Sequence, residues 1–312
     1  MELSVRSMGW LRTIDGLSRD GTATDTVGWS LAVALLARRT PAWIEPSVRI
    51  LDRLIAVHTA AWPAGAAAAE LAQRPDTAEL LTVLHTRALL GADDRLDQPF
   101  ELAGDGRTAV THSELLEAAG AAGIGRAPLP HDAPAGPAAG AAGDPQALAL
   151  ELLRARDAGD ADRVGSLLAI LAGTHEPVLD AATGAFRWSP LPGAAPLPER
   201  ATALLAAADA TGPGMLAEME RPLGAQPQLV DVDFPTFGLR RAEWDGGGFL
   251  TMRFDPLVED RKARTRFRLV GAEPRVWWVS GLENVLVHLA TEDSTITAPL
   301  AAATVEFAPS SF

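Results

Sequence analysis

The hydrophobic pattern of this 312-residue chain changes character near Gln228. Before that point apolar residues recur at helical spacing, and after it short β-prone runs alternate with turn-forming residues. A chain of this length can form one large domain or two of ordinary size. The change predicts a mainly α protein, with a helical domain over residues 1–227 and a small antiparallel β module over residues 228–312 packed against it.

Capping residues and helix breakers delimit the helices of the first part. Asp25 is an N-cap candidate for the helix that begins at Thr26, and Thr111 with Glu114 forms a candidate capping box. The predicted helices are Thr26–Arg39, Pro46–Ala61, Thr77–Leu90, Ser113–Ala122, Pro145–Asp157 and Ala161–Ala172, with one or two more across Glu199–Glu220.

The remaining segments divide into strands and irregular stretches. The predicted strands are Phe249–Phe254, Arg266–Val270, Arg275–Val279, Val285–Leu289 and Ala302–Phe307. Thr174–Pro198 is turn-rich and is predicted to be irregular. Gly125–Pro145 is dominated by Ala, Pro and Gly, so it is either a flexible linker or a long ordered loop. Loops of this length inside a compact domain often carry function.

The residue composition excludes several kinds of chemistry. The chain contains neither cysteine nor tyrosine, which removes disulfides, zinc–thiolate sites, iron–sulfur clusters and thiol nucleophiles. It has no zinc-ligand spacing, phosphate-binding glycine loop or G-x-S-x-G motif, so nucleotide hydrolysis, hydride transfer and serine hydrolysis are unsupported. The net charge of −13 disfavours a nucleic-acid partner. Without a recognisable signal peptide or membrane-spanning apolar stretch, we expect a cytoplasmic protein.

Several motifs in the second half follow a known pattern. They are Pro227–Pro235 (PQLVDVDFP), Gly238–Asp245 (GLRRAEWD), His175–Val178 (HEPV), Gly184–Pro190 (GAFRWSP), Phe267–Gly271 and Trp277–Val279. In these motifs the chain resembles the linalool dehydratase-isomerase-like family. The resemblance implies an (α/α)6-type helical toroid around a central apolar pocket. It further implies a small terpene alcohol as substrate, no cofactor, and a homo-oligomer as an allowed state.

The central motif of that family is not retained. Its place is taken by Arg126–Gly136, where Arg126 and Ala135 occupy the two cysteine positions and Ala127 replaces the acid. Of the motif only Pro128 matches, and the family's tyrosines are missing as well. A catalytically active member with this sequence must therefore use other acid–base groups.

Carboxyl and imidazole groups are the acid–base groups that the chain offers. Dehydration or isomerisation of an alcohol needs a proton donor for the leaving hydroxyl, a base for the adjacent C–H, and a pocket that stabilises positive charge. The candidate catalytic residues are Glu176, His85, His131, Asp132 and His112, and the candidate substrate-binding residues are Phe186, Trp188 and His58. Structural alternatives stay open for each, since Glu176 can hold a turn, His131 and Asp132 can form a solvated loop, and helix histidines can be hydrogen-bonded core residues.

Three functions remain open at this point. The first is a cofactor-independent lyase, isomerase or cyclase that acts on a small, terpenoid-like apolar substrate through carboxylate and histidine chemistry. The second is a binding or scaffold protein that keeps the fold without the catalytic groups, which a purely apolar pocket would favour. The third is a carbohydrate-active enzyme, which would require two carboxylates across an open groove lined by tryptophan.

Overall fold

The protein is mainly helical up to residue 224 and mainly β after it. A computed structural model describes residues 3–63, 65–91, 99–101, 107–132, 144–224, 228–235, 237–244, 250–256, 264–271, 275–280, 286–289, 295–299 and 305–309. The helices are α1 (Leu3–Arg19), α2 (Thr26–Arg39), α3 (Ile44–Thr59), α4 (Ala68–Ala72), α5 (Thr77–Leu89), α6 (His112–Ala121), α7 (Pro145–Asp157), α8 (Ala161–Ala172), α9 (Glu199–Ala210) and α10 (Met215–Glu218). Within these ranges no helix has both the length and the hydrophobicity needed to cross a bilayer.

The strands form four antiparallel sheets. They are β1 (Pro99–Glu101), β2 (Arg107–Thr111), β3 (His175–Leu179), β4 (Phe186–Pro190), β5 (Gln228–Val230), β6 (Phe237–Trp244), β7 (Leu250–Pro256), β8 (Arg264–Val270), β9 (Arg275–Ser280), β10 (Leu286–Leu289), β11 (Thr295–Pro299) and β12 (Val305–Pro309). β1 pairs with β2 and β3 with β4, while the later strands form a five-stranded sheet in the order β10-β9-β12-β7-β6 and a three-stranded sheet in the order β11-β8-β5. The predicted antiparallel β region is therefore confirmed.

Helix α2 lies at the centre of the helical part. All of its residues from Thr26 to Ala37 are buried, and α3, α5 and α9 pack against it. Helix α9 is rich in alanine, so its backbone comes close to α2. A Cβ atom placed on Gly28 would lie 3.1 Å from the Cβ of Ala203. The alanine-rich sequence of α9 thus provides a close helix–helix contact on small residues.

Local capping chemistry fixes several helix starts where the sequence predicts them. The carboxylate of Asp25 accepts a hydrogen bond from the N–H of Gly28. Thr111 and Glu114 cap each other's backbone N–H groups at the start of α6. The bounds of α2, α7 and α8 equal the predicted ones, and α3, α5 and α6 differ from them by one or two residues.

The segment Thr174–Pro198, predicted to be irregular, contains the hairpin of β3 and β4 instead. The prediction was wrong because this hairpin has no period-2 alternation of buried residues and is held by a contact with α1. A Cβ atom on Gly9 would lie 2.6 Å from the Cβ of Phe186, so only glycine allows the strand this close. Helix α1 was not predicted either.

Three polar contacts join the β region to the helical part. The hydroxyl of Thr40 donates to the carbonyl of Ala242 at 2.7 Å and accepts from its N–H at 3.0 Å. The guanidinium of Arg12 donates to the carbonyl of Pro235 at 3.2 Å, and the N–H of Asp231 donates to Glu45 at 2.7 Å. These contacts place β5 and β6 against α1, α3 and the turn after α2.

Candidate functional site

Two of the five predicted catalytic residues lie close to one carboxylate that was not predicted, that of Glu220, which contacts His85 and influences the pKa of His131. The side chain of Glu220 accepts a hydrogen bond from Nε2 of His85 at 3.0 Å and lies 3.4 Å from the guanidinium of Arg126. His131 and Asp132 are neighbours on a short 3-10 helix, Pro130–Asp132. Together His85, Arg126, His131, Asp132 and Glu220 form what we call the Glu220 cluster.

Backbone hydrogen bonds bring these separate segments onto α5. The N–H of Leu223 donates to the carbonyl of Leu89 at 2.8 Å, and that of Ala127 donates to the carbonyl of Ala78 at 2.9 Å. The chain after α10 is thus fixed at one end of α5, and the chain after α6 is fixed at the other. His85 lies between these two anchors and contacts Glu220, which Arg126 contacts as well.

His85 and Glu220 form a histidine–carboxylate dyad. The His85 side chain is 29% exposed, and the described residues make no further hydrogen bond to its ring. Burial alone would raise the pKa of Glu220, but hydrogen bonding from His85 and the charge of Arg126 outweigh it and hold that pKa below its ordinary value. A carboxylate bound to one ring nitrogen orients the imidazole, which leaves the other nitrogen for proton transfer.

His131 is the more buried imidazole of the cluster. Its side chain is 13% exposed, and Nε2 lies 3.4 Å from Oδ1 of Asp132. Nδ1 is buried and has no hydrogen-bond partner among the described residues. Burial lowers the pKa of His131, opposed by the charges of Asp132, Asp157 and Glu220 and assisted by that of Arg154. The ring is therefore neutral near pH 7, which is the protonation state that a base requires.

The lowered pKa of His131 predicts a loss of stability in mild acid. The unfolded chain takes up a proton on this side chain near pH 6.5, whereas the folded chain keeps the ring neutral to lower pH. The stability that the folded chain gains from the neutral His131 ring is therefore fully present above pH 6.5. It decreases as the pH falls from the pKa of the unfolded chain to that of the folded chain. Denaturant unfolding should show that the free energy of unfolding falls more between pH 7.5 and pH 5.5 for the wild type than for His131→Gln. An NMR titration of His131 with its midpoint at or above pH 6.5 would contradict this expectation.

Glu176, another predicted catalytic residue, is exposed on β3, whereas its neighbour His175 is buried. Nε2 of His175 donates to the carbonyl of Ala195 at 3.1 Å, because a carbonyl can only accept. In the neutral ring Nδ1 then accepts from the hydroxyl of Thr174 at 2.9 Å. Both ring nitrogens are engaged, so His175 is held in place and has no free position for proton transfer.

His175 forms part of the wall of an apolar cavity of about 220 Å³. The cavity lies between the start of α7, the end of α8 and the loop before α9. It is lined by Asp144, Pro145, Leu148, Ile170, Leu171, Thr174, His175, Ala194, Ala195 and Leu197. None of the eight predicted site residues is among these lining residues.

His58 joins three helices inside the core. Its Nε2 lies 2.8 Å from the hydroxyl of Thr26, and its Nδ1 lies 3.5 Å from Oδ2 of Asp76. The order hydroxyl, imidazole, carboxylate is that of a nucleophilic triad. Thr26 is only 2% exposed, however, so its hydroxyl is inaccessible and the three residues form a buried connection between α2, α3 and the start of α5.

The other predicted residues lie in aromatic contacts. His112 is buried, with its ring centroid 4.1 Å from that of Phe100. Phe186 is fully buried and packs edge-on against Trp10 and Trp188. Trp188 is half-buried at the edge of this group. None of the three contributes to the Glu220 cluster.

The sequence predicted His85, His131 and Asp132 as site residues, but it did not predict Glu220 or Arg126, which lies beside Glu220. Arg126 was noted only as a replacement in the family motif, and Glu220 as the end of a helical stretch. The prediction about Gly125–Pro145 concerns a segment whose residues 133–143 lie outside the described ranges. Where the chain is described, no three His, Asp or Glu side chains are arranged to hold a metal ion.

Comparison of the chain with protein-family models, with curated proteins and with solved structures gave no match. The resemblance to the linalool dehydratase-isomerase-like family therefore rests on the sequence motifs alone. What the protein does has to be inferred from the arrangement of its own side chains.

Proposed function

We propose that the protein is a cofactor-independent acid–base enzyme of the lyase or isomerase type, acting on a small terpenoid-like alcohol at the Glu220 cluster. The observation that supports it most is the 3.0 Å contact between His85 Nε2 and Glu220, with the neutral His131 nearby. The sequence motifs support the terpenoid class of substrate, and they favour a helical toroid as the arrangement of the helices.

The dyad and the neutral imidazole have complementary roles in a dehydration. His85, oriented by Glu220, donates its proton to the substrate hydroxyl, the C–O bond breaks and water leaves. The adjacent C–H bond loses its proton to the pair formed by His131 and Asp132, and its electrons form the new C=C bond. This is the two-proton chemistry for which one acid and one base at separate positions are needed.

Among the histidines whose side chains are described, His85 suits the acid role best. Both ring nitrogens of His175 are engaged, as are those of His58. The His85 ring combines one nitrogen held by a carboxylate with partial exposure to solvent, which is what a proton donor to an incoming substrate requires.

The proposal predicts that His85→Gln lowers kcat about a hundredfold, because a positioned acid contributes roughly 10²–10⁴-fold to the rate. Glu220→Gln should also lower kcat, since the carboxylate that orients His85 is lost. Products from a panel of primary and tertiary monoterpene alcohols would be quantified by gas chromatography. Glu218→Gln is the matched control, because Glu218 is an exposed carboxylate two residues away that pairs with Arg221, and it should leave kcat unchanged.

Two results would overturn this assignment. Loss of turnover in Glu176→Gln, with His85→Gln fully active, would return the catalytic role to the β3 carboxylate. Absence of product from every alcohol in the panel, with a folded protein, would contradict the enzyme proposal and favour a binding protein instead.

A further inference from the structure

The apolar cavity beside His175 has the properties of a ligand-binding site that is separate from the Glu220 cluster. Its floor consists of the buried side chains of Leu148, Leu171 and His175, and its rim carries the exposed residues Asp144 and Ile170. An apolar cavity of roughly 150 Å³ accommodates benzene, so about 220 Å³ provides room for about nine non-hydrogen atoms. The cavity thus fits a small molecule with an apolar body.

The polar side chains that line the cavity offer hydrogen-bond acceptors to a ligand. The ring nitrogens of His175 are both engaged, because the hydroxyl proton of Thr174 is directed to His175 Nδ1 at 2.9 Å in preference to the carbonyl of Leu171 at 3.2 Å. The side-chain groups left to bind a ligand are the lone pairs of Thr174 Oγ1 and the carboxylate of Asp144. Among the described residues that line the cavity there is no arginine or lysine. A ligand that donates hydrogen bonds is therefore favoured over one that accepts them.

The charges around the cavity favour a cation. Asp144 contributes a negative charge, part of which is used in capping α7 through the N–H of Gln146. Ile170 and Leu171 belong to the last turn of helix α8 and lie on the cavity wall, where the C-terminal carbonyl groups of the helix add partial negative charge. The positive N-terminus of α7 is already capped by Asp144 itself, so the remaining potential at the rim is negative.

We propose that this cavity binds a small apolar primary amine, with the hydrocarbon part on Leu148 and Leu171 and the ammonium group at Asp144 and Thr174. The proposal does not rest on the proposed function, because it concerns other residues and another chemical class. Its test likewise reads binding rather than turnover, so either proposal can fail without the other.

The test compares three probes of equal shape, namely 2-phenylethylamine, 2-phenylethanol and phenylacetate, by calorimetry and by NMR shift changes at the cavity residues. The amine is expected to bind about fivefold more tightly than the alcohol, the ratio that a partly exposed ion pair supports, and the acid most weakly. Equal affinity for all three probes, tighter binding of the acid, or no saturable binding of the amine would each overturn the proposal.

Matched variants separate charge from fold. Asp144→Asn removes the charge and keeps an equally good N-cap for α7, so it should abolish the preference for the amine over the alcohol. Asp160→Asn is the control, since Asp160 caps α8 in the same way and is not a lining residue. Ala194→Phe on the half-buried rim should weaken amine binding more than tenfold by filling the cavity. Unchanged affinity in Ala194→Phe would show that the amine binds elsewhere.

Discussion

Replacing Asp209 with alanine is expected to lower the free energy of unfolding by about 3–5 kcal/mol. Asp209 lies near the end of the alanine-rich helix α9 and is 2% exposed. Its Oδ1 contacts the guanidinium groups of Arg6 at 3.2 Å and Arg156 at 3.3 Å. Its Oδ2 accepts a hydrogen bond from Trp10 Nε1 at 3.0 Å. One buried carboxylate thus balances two cations from α1 and α7.

The charges next to Asp209 make the expected loss of stability large. Arg39, at the end of α2, donates to the backbone carbonyl of Asp209 at 2.9 Å. Burial, together with the charge of Arg156, lowers the pKa of Arg39, and Asp209 opposes that shift. Without the carboxylate, three guanidinium groups would face each other with no counter-charge from Asp209. Leaving buried charges unpaired costs more than the loss of the hydrogen bonds themselves.

Denaturant unfolding of matched variants distinguishes unpaired charge from lost packing. Asp162→Asn, an exposed carboxylate on α8, should stay within about 0.5 kcal/mol of the wild type. Exchange of the network for apolar residues, with Arg6→Met, Arg39→Met, Arg156→Met and Asp209→Leu combined, should recover much of the stability that Asp209→Ala loses, because none of the three guanidinium charges is then left without its carboxylate. A loss below about 1 kcal/mol in Asp209→Ala would be typical of a solvent-screened pair and would contradict the expectation.

Local signals account for the part of the fold that could be predicted. An N-cap such as Asp25, or the reciprocal capping of Thr111 and Glu114, acts within four residues, so the sequence alone locates these helix starts. The hairpin of β3 and β4 carries no such signal. It forms because α1 offers a glycine at position 9 where Phe186 approaches, and a contact across this sequence distance leaves no periodic pattern.

The candidate site was predictable to the extent that its chemistry is rare in the chain. Histidine occurs six times, so His85 and His131 stood out as acid–base groups. Carboxylates are far more common, and nothing near Glu220 in the sequence distinguishes it. Its pairing with His85, 135 positions earlier, follows from the backbone anchors at the two ends of α5. Asp209 was missed for the same reason, since its arginine partners come from other helices.

Phe186→Ala is expected to destabilise the protein by about 3–5 kcal/mol, the usual range for removing a fully buried phenylalanine. The ring is 0% exposed and packs edge-on against Trp10, with 5.0 Å between the ring centroids. The backbone around it is held as well, because the N–H of Phe186 donates to the hydroxyl of Thr13 at 3.0 Å. The truncation leaves a cavity that α1 cannot fill without breaking this contact.

Two matched variants isolate the packing contribution of Phe186 in the same unfolding measurement. Arg187→Ala, on the exposed face of β4, should stay within about 0.5 kcal/mol of the wild type, and Trp188→Ala should cost less than Phe186→Ala because Trp188 is only half-buried. If Phe186→Ala kept the stability of the wild type and only weakened substrate binding, the role in substrate binding predicted from sequence would be right and the packing role wrong.

Phe186 and Asp209 should not behave as independent sites. Trp10 donates to Asp209 through its indole N–H and packs with its ring against Phe186. Arg6 contacts Asp209 and also lies 5.9 Å from the centre of the Phe186 ring. Residues that share partners in this way show interaction energies of about 0.5–3 kcal/mol. The double variant should therefore lose less stability than the two single losses together, because Phe186→Ala already loosens the residues that Asp209 holds.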